Sequence, residues 1–261
     1  MNPTWLQFGG LEIRAFTFWL ALGGLLSAAL VLWRGRAQRM AHLDVITAAA
    51  LCGVIGARAE HVALNWAYFS ANTAEIFAVS SGGVNWHGGL LGILFGAAAV
   101  ARWRRLHLPH LLDSLALCLP IGALAAWQAC ASAACGYGVE VRSLAEYPLW
   151  LATEAPDIYG VLAPRLNLPL IGMLLALLLG VLGVLLIGYG KLHGGRFWLL
   201  LALYGLAMAF LSGFRAEYVP LWFGVRADQA LDLWIGLWAA ALFVRYRAHG
   251  RRTGRRAPPS A

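Results

Sequence analysis

The chain has 261 residues, 61% hydrophobic and only 12% charged, with a formal net charge of +8. Roughly a quarter of a soluble domain is charged, so this composition excludes an ordinary soluble enzyme and places the chain in a membrane. The basic residues cluster at the ends of apolar runs, which points to bilayer topology and away from nucleic acid as a partner.

Residues 1–10 lack the positive segment that opens a cleavable signal peptide, so the first apolar run is expected to be retained. Seven runs approach the length that crosses a bilayer: residues 16–33, 45–68, 88–102, 111–134, 168–189, 197–214 and 229–244. The third is short unless it borrows the glycine segment before it. The second and fourth hold polar residues that blur their ends.

The second run contains Gly56-Ala57-Arg58-Ala59-Glu60-His61, then Asn65-Trp66. A charge at bilayer depth costs from about 2.5 kcal/mol upward, so Arg58 needs a partner or a purpose. Two readings are open. Glu60 or a neighbouring helix neutralises Arg58 in a structural network, or Arg58, His61 and Asn65, spaced along one helical face, form an anion site. Arginine suits the second role because its planar fork binds phosphate oxygens in pairs.

Ahead of the third run lies Ser81-Gly82-Gly83-Val84-Asn85-Trp86-His87-Gly88-Gly89-Leu90-Leu91-Gly92. Glycines admit close approach of backbone or ligand. An imidazole framed by them at a membrane edge is read as a candidate for chemistry on a lipid headgroup, against the alternative of a capping or interfacial histidine. In the fourth run Asp113 and Pro120 are explained by helix geometry and tertiary hydrogen bonding.

Of four cysteines, Cys52 and Cys118 lie inside runs and are read as small packing residues. Cys130 and Cys135 have no metal-ligand spacing, and a helix points them apart; a disulfide is not expected while both remain helical. Residues 135–167 carry Tyr137, Trp150, Tyr159, Pro148, Pro156 and Pro164, which suits a segment lying at the bilayer interface. Residues 70–86 and 216–228 form two further loops on the same side. Arg215 and Glu217 stand at the end of the sixth run, read either as a surface ion pair or as a site, while Asp228 or Gln229 can cap the seventh helix.

Arg34, Arg36 and Arg39 follow the first run, and Arg102, Arg104 and Arg105 the third. Lys191 and Arg196 lie between the fifth and sixth, and Arg245, Arg247, Arg251, Arg252, Arg255 and Arg256 follow the seventh. The positive-inside rule puts all four groups in the cytoplasm, with the N-terminus outside and the C-terminus inside. Glu140, Glu146, Glu154 and Asp157 then fall outside. The expected fold is all-α: one seven-helix membrane domain, residues 1–244, with a basic cytoplasmic tail, residues 245–261, drawn to anionic headgroups.

The order Gly56-Ala57-Arg58, Asn65-Trp66, Gly82-Gly83, Trp86-His87-Gly88-Gly89-Leu90, Gly92, Asp113, Pro120, Gly122, Gly138, Tyr204-Gly205, Phe214-Arg215 and Gln229 resembles the bacterial prolipoprotein diacylglyceryl transferases over nearly the whole chain. The histidine–glycine motif is the most specific part. The resemblance implies a seven-helix enzyme of the bacterial inner membrane, without cofactor or metal. Such an enzyme transfers diacylglyceryl from phosphatidylglycerol to the lipobox cysteine thiol of a prolipoprotein signal peptide and releases glycerol phosphate. His87 becomes the candidate base, Arg58, Arg215, Gly88 and Gly89 the lipid or phosphate contacts, and Asn65, Asp113, Gly138, Glu217 and Gln229 the supporting set.

The chain departs from the family where it usually reads Gly-Arg-x-Gly-Asn-Phe-x-x-Gly-Glu-x-x-Gly. Trp127 takes the arginine position, and Cys130 and Cys135 take the asparagine and glutamate positions. Met208 and Ser212 stand for an arginine and a glutamate, and Phe16 and His61 for tyrosines. These replacements keep a second expectation alive, a lipid-binding member without catalysis or a relative using another acceptor. A transporter is the third class, but the sequence shows no internal repeat or paired half-helices.

Overall fold

The computed structural model describes residues 4–8, 11–79 and 82–254, with side chains for residues 13–79 and 82–248. Ser81 of the glycine motif and Arg255 and Arg256 of the tail lie outside the described residues, as do the side chains of Arg251 and Arg252.

Every apolar run is helical. The helices are α1 (Ala15–Arg34), α2 (Arg39–Leu64), the short α3 (Trp66–Phe69), α4 (Trp86–Trp103), α5 (Leu108–Leu115), α6 (Cys118–Ala133), α7 (Leu168–Gly188), α8 (Arg196–Ser212) and α9 (Ala227–Gly254). In hydrocarbon a helix satisfies its backbone groups within itself, which is why such runs fold this way. Among the described residues five stretches are long and apolar enough to cross a membrane: Ala15–Arg34, Arg36–Leu64, Leu108–Ala133, Leu168–Gly188 and Ala227–Ala248. The apolar α8 is shorter, and α4 begins with Trp86-His87 and ends with Arg102-Trp103, polar ends that weaken it as a span. Leu25, Ile55, Phe95, Leu178 and Phe210 stand exposed on these helices, as side chains solvated by lipid do. The protein is a helical membrane protein.

Three antiparallel hairpins modify the all-α expectation. They are β1 (Thr4–Phe8) with β2 (Leu11–Arg14), β3 (Ala152–Pro156) with β4 (Leu162–Leu166), and β5 (Leu221–Trp222) with β6 (Val225–Arg226). The second hairpin turns where the Asp157 carboxylate accepts the amides of Tyr159 and Val161, at 2.9 and 3.0 Å, and Gly160 takes a φ of 83°.

Two compact units are formed, one from Met1–Ala29 with Leu115–Ala261 and one from Leu30–Ser114. In the smaller unit α2 crosses α4 along a seam of glycines. A Cβ on Gly88 would collide with the Gly56 carbonyl, and one on Gly92 with the Cys52 carbonyl, so the two backbones touch there. At the other end of α4, Arg104 donates through Nε to Asp44 at 2.6 Å.

In the larger unit α6 packs on α7, and the buried Trp127 ring fills the notch left by Gly172. Helices α8 and α9 form a second pair. Strand β4 is flanked on its other edge by residues 139–141, through Val141 N–H to the Pro164 carbonyl and Leu166 N–H to the Val139 carbonyl.

One expectation about α6 is corrected. Cys130 and Cys135 are joined in a disulfide, with a Cα separation of 4.6 Å. The helix stops at Ala133, and Ala134 adopts a left-handed conformation with φ of 55°. Cys135 therefore lies beyond the helix and turns back over its last turn, its amide donating to the Cys130 carbonyl.

Candidate functional site

Asn85 enters α4 with its amide bonded to the Ala57 carbonyl at 3.1 Å, which anchors the start of α4 on α2. His87 follows in the first turn and is 4% exposed. Its Nδ1 lies 2.9 Å from Glu60 Oε1, and the Gly88 amide donates to Glu60 Oε2 at 2.5 Å. The first amides of a helix lack intrahelical partners and attract negative charge, so one carboxylate from α2 caps α4 and holds its histidine together. An ionised carboxylate only accepts, so Nδ1 is the donor in this contact.

Arg58, on the same helix, is 7% exposed and is not paired with Glu60 as one reading of the sequence proposed. Its Nε donates to the Ile76 carbonyl at 2.9 Å, Nη1 to those of Gly82 and Gly83 at 2.6 and 3.0 Å, and Nη2 to that of Glu75 at 2.5 Å. The guanidinium also lies 5.1 Å from the centre of the Phe69 ring. A guanidinium has five N–H donors, so the loop that leads to His87 takes most of this one's capacity. Tyr68, in the same region, donates to the Glu75 carboxylate at 2.8 Å, and that bond raises the phenol above its ordinary pKa.

The remaining candidates in this unit have local roles in the geometry. Asn65 closes α2, its side-chain amide donating to the His61 carbonyl at 2.9 Å. Gly88 and Gly89 face α2, with Gly88 seated on the Gly56 carbonyl. Asp113 is buried in α5.

The larger unit gathers Arg215, Glu217, Gly138 and Gln229. Gly138 forms a β-bridge with Arg215 just past α8. Arg215 Nη2 donates to Glu217 Oε2 at 2.5 Å, and the other Glu217 oxygen accepts the Gly136 amide at 2.6 Å. Arg215 Nη1 lies 3.6 Å from Asp228 Oδ2, a carboxylate that Arg226 grips through Nε and Nη2 at 3.1 and 3.0 Å. Burial works against the Arg215 charge, but Glu217, Asp228 and Asp232 outweigh it and raise its pKa. Its buried Nε makes no hydrogen bond among the described residues. Gln229 donates to the Ala209 carbonyl at 3.0 Å, tying α9 to α8.

Three features escaped the sequence reading. The role of Glu60 depends on a pairing 27 residues away. Asp232 is fully buried on α9 and accepts the Ser212 hydroxyl at 2.5 Å. Where the family resemblance led one to expect a glutamate on α8, a serine thus meets a carboxylate brought by α9. The signal was present, since an acid inside an apolar run demands a partner. Arg165, 4% exposed, binds Glu140 at 2.8 Å and lies 5.0 Å from the centre of the Tyr137 ring. Burial, then the Glu217 carboxylate, raises the Tyr137 phenol above its ordinary pKa.

A family model described as prolipoprotein diacylglyceryl transferase matches residues 3–245. The phosphatidylglycerol–prolipoprotein diacylglyceryl transferase of Clostridium novyi is 26% identical over 259 residues, covering 97% of this chain and 99% of the relative. That of Bacillus licheniformis is 24% identical over 260 residues, 98% of this chain and 96% of the relative. That of Geobacter sulfurreducens reaches 30% over 129 residues, 47% of this chain and 49% of the relative. A match that begins ahead of α1 and runs into α9, with relatives aligned end to end, means that the chain belongs to the prolipoprotein diacylglyceryl transferase family.

Proposed function

We propose that this protein transfers diacylglyceryl from phosphatidylglycerol to the lipobox cysteine of a prolipoprotein. The observation that carries the reading is the buried His87–Glu60 pair at the start of α4, within a chain of this family. A thiol reacts as thiolate, so a base must take its proton. Nε2 of His87 accepts that proton while sulfur bonds to the glyceryl methylene carbon. The carbon–oxygen bond to phosphate breaks, and glycerol phosphate departs with the electron pair and takes up a proton. Charge gathers on the leaving phosphate, and a guanidinium such as that of Arg215 is the kind of group that answers it. Arg58 contributes by fixing the loop that presents the histidine, and Asn65, Asp113, Gly138, Glu217 and Gln229 support the framework.

The topology that accompanies this reading has seven spans, α4 and α8 included, with the N-terminus outside and the C-terminus in the cytoplasm of a bacterial inner membrane. The basic groups after α1, after α4, between α7 and α8 and along the end of α9 support it. So does the Cys130–Cys135 disulfide, which this orientation puts on the oxidising side.

A specific observation favours a second reading. Trp127 packed on Gly172 and the Cys130–Cys135 bridge occupy positions where the resemblance expects arginine, asparagine and glutamate. Losing a phosphate-binding arginine from a site of low dielectric removes about 10²-fold or more in rate, which favours a relative that uses another acceptor or only binds lipid. The two readings separate in reconstituted vesicles of phosphatidylglycerol supplied with a lipobox peptide. The proposal expects wild-type turnover and a loss of about 10²-fold or more in His87→Ala, with the variant still folded and inserted. Equal turnover by His87→Ala removes the histidine from the mechanism.

A further inference from the structure

We infer that Glu60 is a positioning residue for the reaction, holding His87 in its reactive tautomer and facing the positive charge that the ring gains; this rests on the reading of His87 as the base. The geometry is specific. The two carboxylate oxygens serve different partners, Oε1 the imidazole Nδ1 at 2.9 Å and Oε2 the Gly88 amide at 2.5 Å. Ring and carboxylate side chains are 5% and 13% exposed, so water screens the pair little. Because the Gly88 bond fixes the carboxylate relative to the α4 backbone, the ring beside it cannot turn without losing its hydrogen bond.

Arg58, two residues earlier on α2, gives its donors to the carbonyls of Ile76, Gly82, Gly83 and Glu75. His61, the other titratable neighbour on α2, is hydrogen-bonded to Asn85. Tyr68 is bonded to the side chain of Glu75. Along α4 itself no further ionisable side chain occurs until Arg102. When Nε2 takes the thiol proton, the imidazolium forms against a carboxylate already in place, and the charged state is favoured without rearrangement. When the leaving phosphate takes up a proton, the ring returns to the Nδ1–H form that Glu60 selects.

The test compares pH–rate profiles of transfer to a lipobox peptide in phosphatidylglycerol vesicles for wild type, Glu60→Gln, Glu60→Asp and His87→Ala. A nearby carboxylate raises a histidine pKa, and the base works when deprotonated. Glu60→Gln therefore moves the acidic limb of kcat/KM to lower pH by about one unit. It also lowers kcat by about 10²-fold with KM for the lipid nearly unchanged, whereas Glu60→Asp restores part of the rate and of the profile. A Glu60→Gln enzyme with wild-type kcat and an unmoved acidic limb, while His87→Ala is inactive, overturns the inference and reduces Glu60 to a helix cap. Wild-type turnover by His87→Ala overturns the base itself, a separate outcome.

Discussion

Arg58 and Glu60 stand two residues apart on α2 and have unrelated partners. The sequence showed that both are expensive at bilayer depth, but not where each would be answered. Backbone carbonyls leave no signature in a sequence, and those that hold Arg58 lie 17 to 25 residues away. The Glu60–His87 pairing depends on α2 and α4 touching at Gly56 and Gly88, a contact that the glycines permit and only the packed helices reveal. The same holds for Asp232, legible as a misplaced acid but not as the partner of Ser212. A consequence follows for Arg58→Lys. One ammonium cannot replace a fork that reaches four carbonyls, so the loop loses about 3 kcal/mol of local stability. Hydrogen exchange at the amides of Ala78 and Gly82, bonded to Glu75 and Val79, should then quicken by about 10²-fold with helix content unchanged. Exchange at the wild-type rate would show that the clamp contributes nothing.

The end of α6 shows what element-scale reading missed. A helix continued through residue 135 points its two cysteines apart, and a disulfide was not expected while both remained helical. Instead Ala134 takes the left-handed conformation, which glycine ordinarily supplies and which alanine does not advertise. The bridge then holds the turn whose Gly136 amide binds Glu217, the carboxylate paired with Arg215. Closing so short a loop stabilises by roughly 2 kcal/mol in the chain-entropy account. Replacing Cys130 and Cys135 by serine should lower the melting temperature in detergent by about 2–4 °C. A reductant should shift wild type by the same amount and leave the variant unmoved. Equal melting of the two proteins in oxidising buffer would contradict this. The β3–β4 hairpin was more legible than the reading made it, since Asp157 and Gly160 carry a turn signal between two short runs.

For the molecule as a whole, the seven apolar runs were readable because burying backbone in hydrocarbon leaves helix as the answer, and all seven are helices. The two helices outside the five long apolar stretches are α4, whose ends carry His87 and Arg102, and α8, which is 17 residues long. The family resemblance was legible from the histidine–glycine motif and the order of smaller signals around it. Whether the replaced charges matter is a question about the reaction, and product identity answers it. The purified protein in phosphatidylglycerol vesicles is given a lipobox peptide, and the peptide is then weighed by mass spectrometry. The account predicts a gain of one diacylglyceryl group, in thioether linkage to the cysteine, with glycerol phosphate released mole for mole. A serine-substituted peptide should stay unmodified. An unchanged cysteine peptide, under conditions where an authentic family transferase modifies it, would contradict the account.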